Sequence, residues 1–252
     1  MKQMHSSKML DIPEQHSKNV QTLPILLDTS LADLPFASKQ IKAIQRESTR
    51  KGYNIAFYAD CEKYLADSNA NPVVIVLGFE CVPVSDILIQ LDRAGKCPII
   101  TMTDAEYVDP YHSYITFSRR AITEQMVGYL TQKGCRHFAM VGCCQSSAND
   151  LVHIQAMKDC LAMDQCSSEV FFYQNLVEES FSAFYDRHEQ FDAVLCPNDY
   201  CSIAFLCFCE RKGLRIPTDL KLASFKETII SSLCSPSLTS CSFDQTTIAK
   251  NA

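Results

Sequence analysis

The sequence predicts an α/β protein built on two parallel sheets. Three observations carry this reading. Short apolar runs alternate with helix-length amphipathic stretches along most of the chain, which is the pattern of successive βα units. Several runs, such as PVVIVLG at 72–78, HFAMVG at 137–142 and AVLC at 193–196, are apolar throughout, as in strands covered on both faces. Gly52, Gly95, Gly134 and Gly213 each stand where an amphipathic stretch stops, because glycine tolerates the left-handed conformation of a helix C-terminus.

Each element follows from local chemistry. Residues 1–22 form a polar leader without an apolar segment, so they are not a secretory signal. Leu23–Asp28 is the first strand. Pro35 suits a first helical position, and Phe36–Lys51 is helical with Ile41 and Ile44 spaced to face a sheet. Tyr53–Ala59 is the second strand, Asp60–Asn71 a connection, and Pro72–Gly78 the third strand. Val84–Ala94 is a helix with Ile87, Leu88 and Leu91 inward, and Cys97–Thr103 is the fourth strand. Tyr107–Phe117 is a link that ends in a short strand. Ser118 caps a helix to Lys133 that turns Ile122, Met126, Val127 and Leu130 inward.

The second run repeats the pattern. His137–Gly142 is a strand, Ser147–Met163 a helix, Glu169–Tyr173 a strand and Val177–His188 a helix. Ala193–Cys196 is a strand ending in the polar turn Pro197-Asn198-Asp199, where Asp199 is suited to cap a helix reaching Lys212. Ile203, Leu206 and Cys207 give that helix an apolar stripe. Leu220–Phe225 is the next strand. A serine-rich loop follows, Leu238–Phe243 is extended, and Asp244 begins a helix.

Composition narrows the function. The 47% hydrophobic and 21% charged fractions are those of a globular chain, and no apolar run approaches the ~18 residues of a membrane span. A net charge of −6 argues against these residues forming a nucleic-acid-binding surface of their own. Fourteen cysteines without an export signal place the chain in a reducing compartment, the cytoplasm, with its thiols unpaired. No C-x-x-C or other metal-ligand spacing occurs, and Cys97, Cys160, Cys196 and Cys207 lie in apolar stretches where a thiol acts as a small hydrophobe. There is no G-x-S-x-G, H-E-x-x-H, P-loop or G-x-G-x-x-G, so no catalytic residue and no cofactor is expected.

The stretch CPNDYCSIAFLCFCERKGLRIPTDLKLASF, residues 196–225, resembles the segment that marks effector-binding domains of LacI/GalR-type transcription regulators. There an Asn-Asp turn opens a helix, a Gly-Leu-x-x-Pro-x-Asp loop follows, and the next strand ends in Gly-Phe-Asp-Asp. Asn198-Asp199, Gly213-Leu214, Pro217 and Asp219 match, whereas Ser224-Phe225-Lys226-Glu227 departs. LTQKGCRHFAMVG at 130–142 and PSLTSCSFDQTTIAKNA at 236–252 are similar to further passages of that family.

The resemblance implies a periplasmic-binding-protein-like fold of type I, two Rossmann-like lobes with a ligand cleft between them and the last elements truncated. The lobes would comprise 23–133 plus 242–252 and 134–241, with the chain crossing near Thr131–Gly134 and again near Ser240–Ser242. It also implies a small-molecule effector (a sugar, nucleobase or related metabolite), a homodimer, and DNA contact only through a helix-turn-helix absent from these residues. Family positions map the ligand contacts onto Phe36, Phe117, His153, Asn198, Lys226 and Phe243. His153 stands where an arginine is usual and offers no guanidinium fork for a carboxylate. A charged Lys226, where an aspartate is usual, accepts no hydrogen bond from a sugar hydroxyl. Two alternatives share the fold: a solute-binding protein that feeds a transporter, and a degenerate sensor without a ligand.

Overall fold

The computed structural model describes residues 21–27, 35–77, 84–104, 110–163, 166–225, 228–241 and 250. The first sheet has the order β2-β1-β3-β4-β5 and uses β1 (Thr22–Leu26), β2 (Asn54–Tyr58), β3 (Val73–Leu77), β4 (Cys97–Asp104) and β5 (Ser113–Phe117). All its pairings are parallel. Parallel neighbours need crossover connections, and the helices that provide them cover the faces. One face packs on α1 (Pro35–Lys51) through Ile25, Leu27, Ile44, Ile75 and Leu77. The other packs on α2 (Cys61–Ala66) and α3 (Val84–Arg93) through Leu26, Tyr64, Val76, Leu88 and Leu91.

The second sheet, ordered β10-β9-β8-β6-β7, is also parallel throughout. Its strands are β6 (His137–Cys144), β7 (Ser167–Tyr173), β8 (Ala193–Cys196), β9 (Lys221–Phe225) and β10 (Thr239–Cys241). On one face lie α4 (Arg119–Gln132) and α5 (Ala148–Met163), which bury Met126, Leu130, Ile154 and Met157 against Phe138, Met140 and Phe225. On the other lie α6 (Val177–Tyr185) and α7 (Asp199–Lys212). There Phe181 meets Phe205 and Phe208, and Phe184 meets Phe205, at tilted and edge-to-face angles with centroids 5.2–5.7 Å apart, the geometry that ring quadrupoles favour. A short α8 (Ile229–Leu233) precedes β10.

Four expectations are corrected here. The helix after Ser118 was assigned to the first lobe, but α4 packs against the second sheet. The chain therefore crosses at Ser118, between β5 and α4, and not at 131–134. Its apolar stripe required burial but did not specify which sheet would cover it. In α7 the buried side is Cys201, Phe205, Phe208 and Cys209, while Ile203 and Leu206 are partly buried and Cys207 is exposed. This helix is apolar on both sides, so periodicity did not pick its face. The connection 60–71 contains α2, whose first turn Asp60 caps by accepting from the Lys63 N–H at 2.7 Å. The thiol of Cys97 is likewise exposed, at the start of β4.

Cys196 and Cys209 do pack as small hydrophobes, and burial pushes the Cys209 thiol up to about 12. At the carboxyl end of β6 the ladder to β7 shifts register between Val141 and Cys143. Gly142 occupies the bulge at φ +74°, and the buried Ser180 hydroxyl accepts from its N–H at 3.0 Å. A Cβ there would lie 2.1 Å from the sulfur of Cys201. Gly142→Ala is expected to cost about 2–4 kcal/mol through combined backbone strain and overpacking. Adding Cys201→Ala should recover the packing share only; urea denaturation of these two variants and of Cys201→Ala alone measures both parts.

Candidate functional site

The candidate site lies at the carboxyl ends of the strands in the second sheet, where ligands sit in open α/β sheets. β8 ends at Cys196, and the chain turns through Pro197 into α7. Asn198 has extended backbone, and its Oδ1 accepts from the Cys201 N–H at 2.9 Å. The helix cap is thus Asn198, not Asp199 as the sequence suggested. Asp199 turns inward and is fully buried. One of its oxygens accepts from the Ser224 hydroxyl at 2.6 Å; the other accepts from the Thr228 N–H at 2.6 Å and the Thr228 hydroxyl at 2.8 Å. A carboxylate in the first turn of α7 also gains from the helix dipole.

Phe225 follows Ser224 in β9, and its ring lies flat on the imidazole of His153, with centroids 4.0 Å apart and planes 8° from parallel. His153, on α5, is only 1% exposed. Its Nδ1 is 2.7 Å from the Thr123 hydroxyl, which itself donates to the Arg119 carbonyl at 2.9 Å. That hydroxyl has one hydrogen to give, so the network places a proton on Nδ1 of the imidazole. Arg119 is also 1% exposed, and its guanidinium stands 4.7 Å from the centre of the Phe117 ring.

The predicted residues separate accordingly. Phe117, His153 and Asn198 are joined into one line by Arg119, Thr123, Phe225 and Asp199. Phe36 stands at the second position of α1, and its side chain lies outside the described residues. So do Lys226 and Phe243. Sequence reasoning missed Arg119, Thr123 and Phe225 as parts of the site. Arg119 carried a signal, since a cation in the first turn opposes the helix dipole and needs a tertiary reason to be there.

Cys144, at the end of β6, borders the same region. The hydroxyl and N–H of Ser146 hold its thiol below the ordinary range. Among the described residues no group of three or more His, Cys, Asp or Glu side chains gathers as a metal site, and no helix is long and apolar enough to cross a membrane.

Replacing Asp199 by Ala would take the acceptor from three donors, two of them on Thr228, while the Ser224 hydroxyl keeps the Phe225 carbonyl at 3.1 Å. The expected loss is about 3 kcal/mol, against about 1 kcal/mol for loss of the cap in Asn198→Ala. Denaturant midpoints with unchanged slopes would give both values; equal losses would show that Asp199 does not hold this end of the lobe together.

Comparison with known proteins agrees with this architecture. A model of the periplasmic binding protein-like domain matches residues 127–252. Catabolite control protein A of Staphylococcus epidermidis is 26% identical over 164 residues, which cover 62% of this chain and 49% of the relative, so the chain spans about half the length of that protein. The Escherichia coli transcriptional repressor ascG superposes with a TM-score of 0.74 at 16% identity, over 92% of this chain and 88% of that one. The probable maltose operon transcriptional repressor malR of Staphylococcus aureus gives 0.75 at 14% identity, over 92% and 87%. The transcriptional regulator CelR in complex with cellobiose gives 0.73 at 17% identity, over 91% and 75%. At these identities the solved structures establish the fold, and the resemblance read from the Asn-Asp turn and its flanking loop stands. With half of its length matched by the family model and two parallel five-stranded sheets of the corresponding form, the chain belongs to the periplasmic binding protein-like domain family.

Proposed function

We propose that the chain is the effector-sensing and dimerising domain of a LacI/GalR-type DNA-binding regulator. It would take a small molecule between its lobes and contact DNA only through a helix-turn-helix outside these residues. One observation carries the reading: the line from Phe117 through Arg119, Thr123, His153 and Phe225 to Asp199 and Asn198. This line starts in the first sheet, crosses Ser118 and ends at the turn after β8. A ligand that touched both ends would bear on the angle between the lobes. It could shift the open–closed equilibrium only by its difference in affinity for the two forms. Two relatives are named as repressors and one was solved with cellobiose, which supports a sugar or similar hydroxylated metabolite.

The dimer is proposed to form through the second lobe. Ile229 and Leu233 of α8 are 72% and 74% exposed. Beside them a cavity is lined by Ile203, Leu206, Ile216 and Pro236. An apolar patch of this kind suits a self-complementary contact. The degenerate-sensor reading keeps one observation in its favour, because His153 is almost wholly covered.

A thermal-shift panel of sugars, sugar phosphates, nucleobases, nucleosides and amino acids tests the reading. A ligand at ~100 times its Kd should stabilise the chain by about 2.7 kcal/mol. Asn198→Asp keeps an oxygen for the cap but loses the amide donors, so it should abolish the shift with little loss of stability. A cooperative melt with no responding ligand would favour the degenerate sensor. In sedimentation velocity, Ile229→Glu with Leu233→Glu should convert a dimer to monomer; an unchanged dimer would move the interface elsewhere.

A further inference from the structure

Two thiols meet beneath the turn that carries Asn198. Cys196 is the last residue of β8, and Cys201 is the third residue of α7. Both pack on the face of the second sheet that α6 and α7 cover. β6 pairs with β8 up to Met140 opposite Leu195, so the next residues, Val141 and Cys196, lie side by side. The Cys201 thiol donates to the Val141 carbonyl at 3.8 Å. It is wedged against the Gly142 bulge, where a Cβ would come within 2.1 Å of its sulfur. That placement brings the sulfur to Cys196, whose thiol is hydrogen-bonded to it. Cys143 belongs to the cluster on the opposite face of the sheet, and Cys209 lies about two turns further along α7.

The two thiols are unequal. Cys201 is 8% exposed, whereas Cys196 is wholly buried. Burial first, and then the Cys201 sulfur, push the Cys196 thiol well above its ordinary range, so it is inert toward a reagent in solution. The Ser202 hydroxyl is within hydrogen-bonding reach of the Cys196 sulfur and supports a thiolate there once a reactive sulfur stands beside it. The pair brackets Pro197, Asn198, Asp199 and Tyr200. Moreover, the N–H that Asn198 Oδ1 accepts from, at 2.9 Å, is that of Cys201 itself. A disulfide holds two sulfurs about 2.05 Å apart, far closer than a hydrogen bond between thiols does. Bond formation therefore draws the first turn of α7 toward β8 and moves the N–H that Asn198 holds.

We propose that Cys196 and Cys201 are a reversible redox pair, that hydrogen peroxide oxidises them to a disulfide, and that this bond releases Asn198 from its cap. In the first step the Cys201 thiolate attacks one oxygen of the peroxide. An S–O bond forms, the O–O bond breaks, and the second oxygen leaves as water after taking up the thiol proton. In the second step the Cys196 sulfur attacks the sulfur of the Cys201 sulfenic acid. The S–S bond forms, the S–O bond breaks, and the hydroxyl leaves as water with the Cys196 proton. The two thiols lose two electrons and the peroxide gains them. A dithiol reductant reverses the bond by exchange. The pair is independent of which small molecule the domain takes, and of whether it takes one.

The test uses the full chain, reduced, exposed to hydrogen peroxide and then treated with an alkylating agent to block the remaining thiols. Chymotryptic cleavage after Tyr200 separates the two cysteines, so fragments that stay joined until dithiothreitol is added report the bond by mass spectrometry. The expected link is Cys196 to Cys201. It should form equally in Cys144→Ser, which removes a more exposed thiol at the end of β6. In Cys196→Ala, Cys201 should instead accumulate as a sulfenic acid that dimedone captures. Amide exchange followed by NMR needs no variant: in the oxidised chain the Cys201 N–H should exchange about fivefold faster than in the reduced one, and dithiothreitol should restore the slower rate. Absence of the link, a link to another cysteine, its loss in Cys144→Ser, or no dimedone adduct at Cys201 would overturn the redox pair. A link between Cys196 and Cys201 with unchanged exchange at the Cys201 N–H would overturn the release of Asn198.

Discussion

The buried carboxylate of Asp199 is the contact on which the carboxyl end of the second sheet depends. It joins three elements that are distant in sequence: the first turn of α7, the last residues of β9 and the entry to α8. Hydrogen bonds to a charged acceptor contribute about 1.5–3 kcal/mol each, and a fully buried carboxylate is tolerable only when its oxygens are satisfied in this way. The consequences are positional. Fixing Ser224 fixes Phe225, whose ring sets the plane of His153, and His153 is held in turn by Thr123 and the crossing at Ser118. Fixing α7 places Asn198 at its cap. A fully buried residue therefore determines where the candidate ligand contacts stand.

The two-sheet architecture was legible because its signals are local and repeated. Gly213 takes φ +76° at the end of α7, and Ser118 caps α4 by accepting from the Ala121 N–H, both at the positions the sequence indicates. What was not legible was which surface each helix meets. The apolar residues of α4 are spaced for burial, yet spacing is the same whether the covering sheet precedes or follows the helix. In α7, Phe205 and Phe208 compete with Ile203 and Leu206, and the aromatic side is buried because Phe181 and Phe184 of α6 are there to receive it. The short helices α2 and α8 fall below the length at which a 3.6-residue period can be read.

The site was legible where one turn carries it and illegible where it is assembled across elements. Asn198-Asp199 announces itself as a polar pair at the end of an apolar strand, although the division of labour reverses: the amide caps and the acid clasps. Thr123 is an ordinary helical threonine in sequence. Its importance comes from lying between the Arg119 carbonyl and the His153 ring, 30 residues away along the chain. Likewise Ser224-Phe225 reads as a departure from a family pattern at Lys226-Glu227, whereas the structure gives Ser224 and Phe225 definite tasks.

The exposed apolar surface of the second lobe constrains how copies could associate. The α8 patch on the second lobe is apolar and loses little by facing itself, since covering Ile229 and Leu233 removes hydrocarbon from water at about 25 cal/mol per Å². A pair joined through α8 would hold its second lobes together, and a change of angle at Ser118 would then move its first lobes.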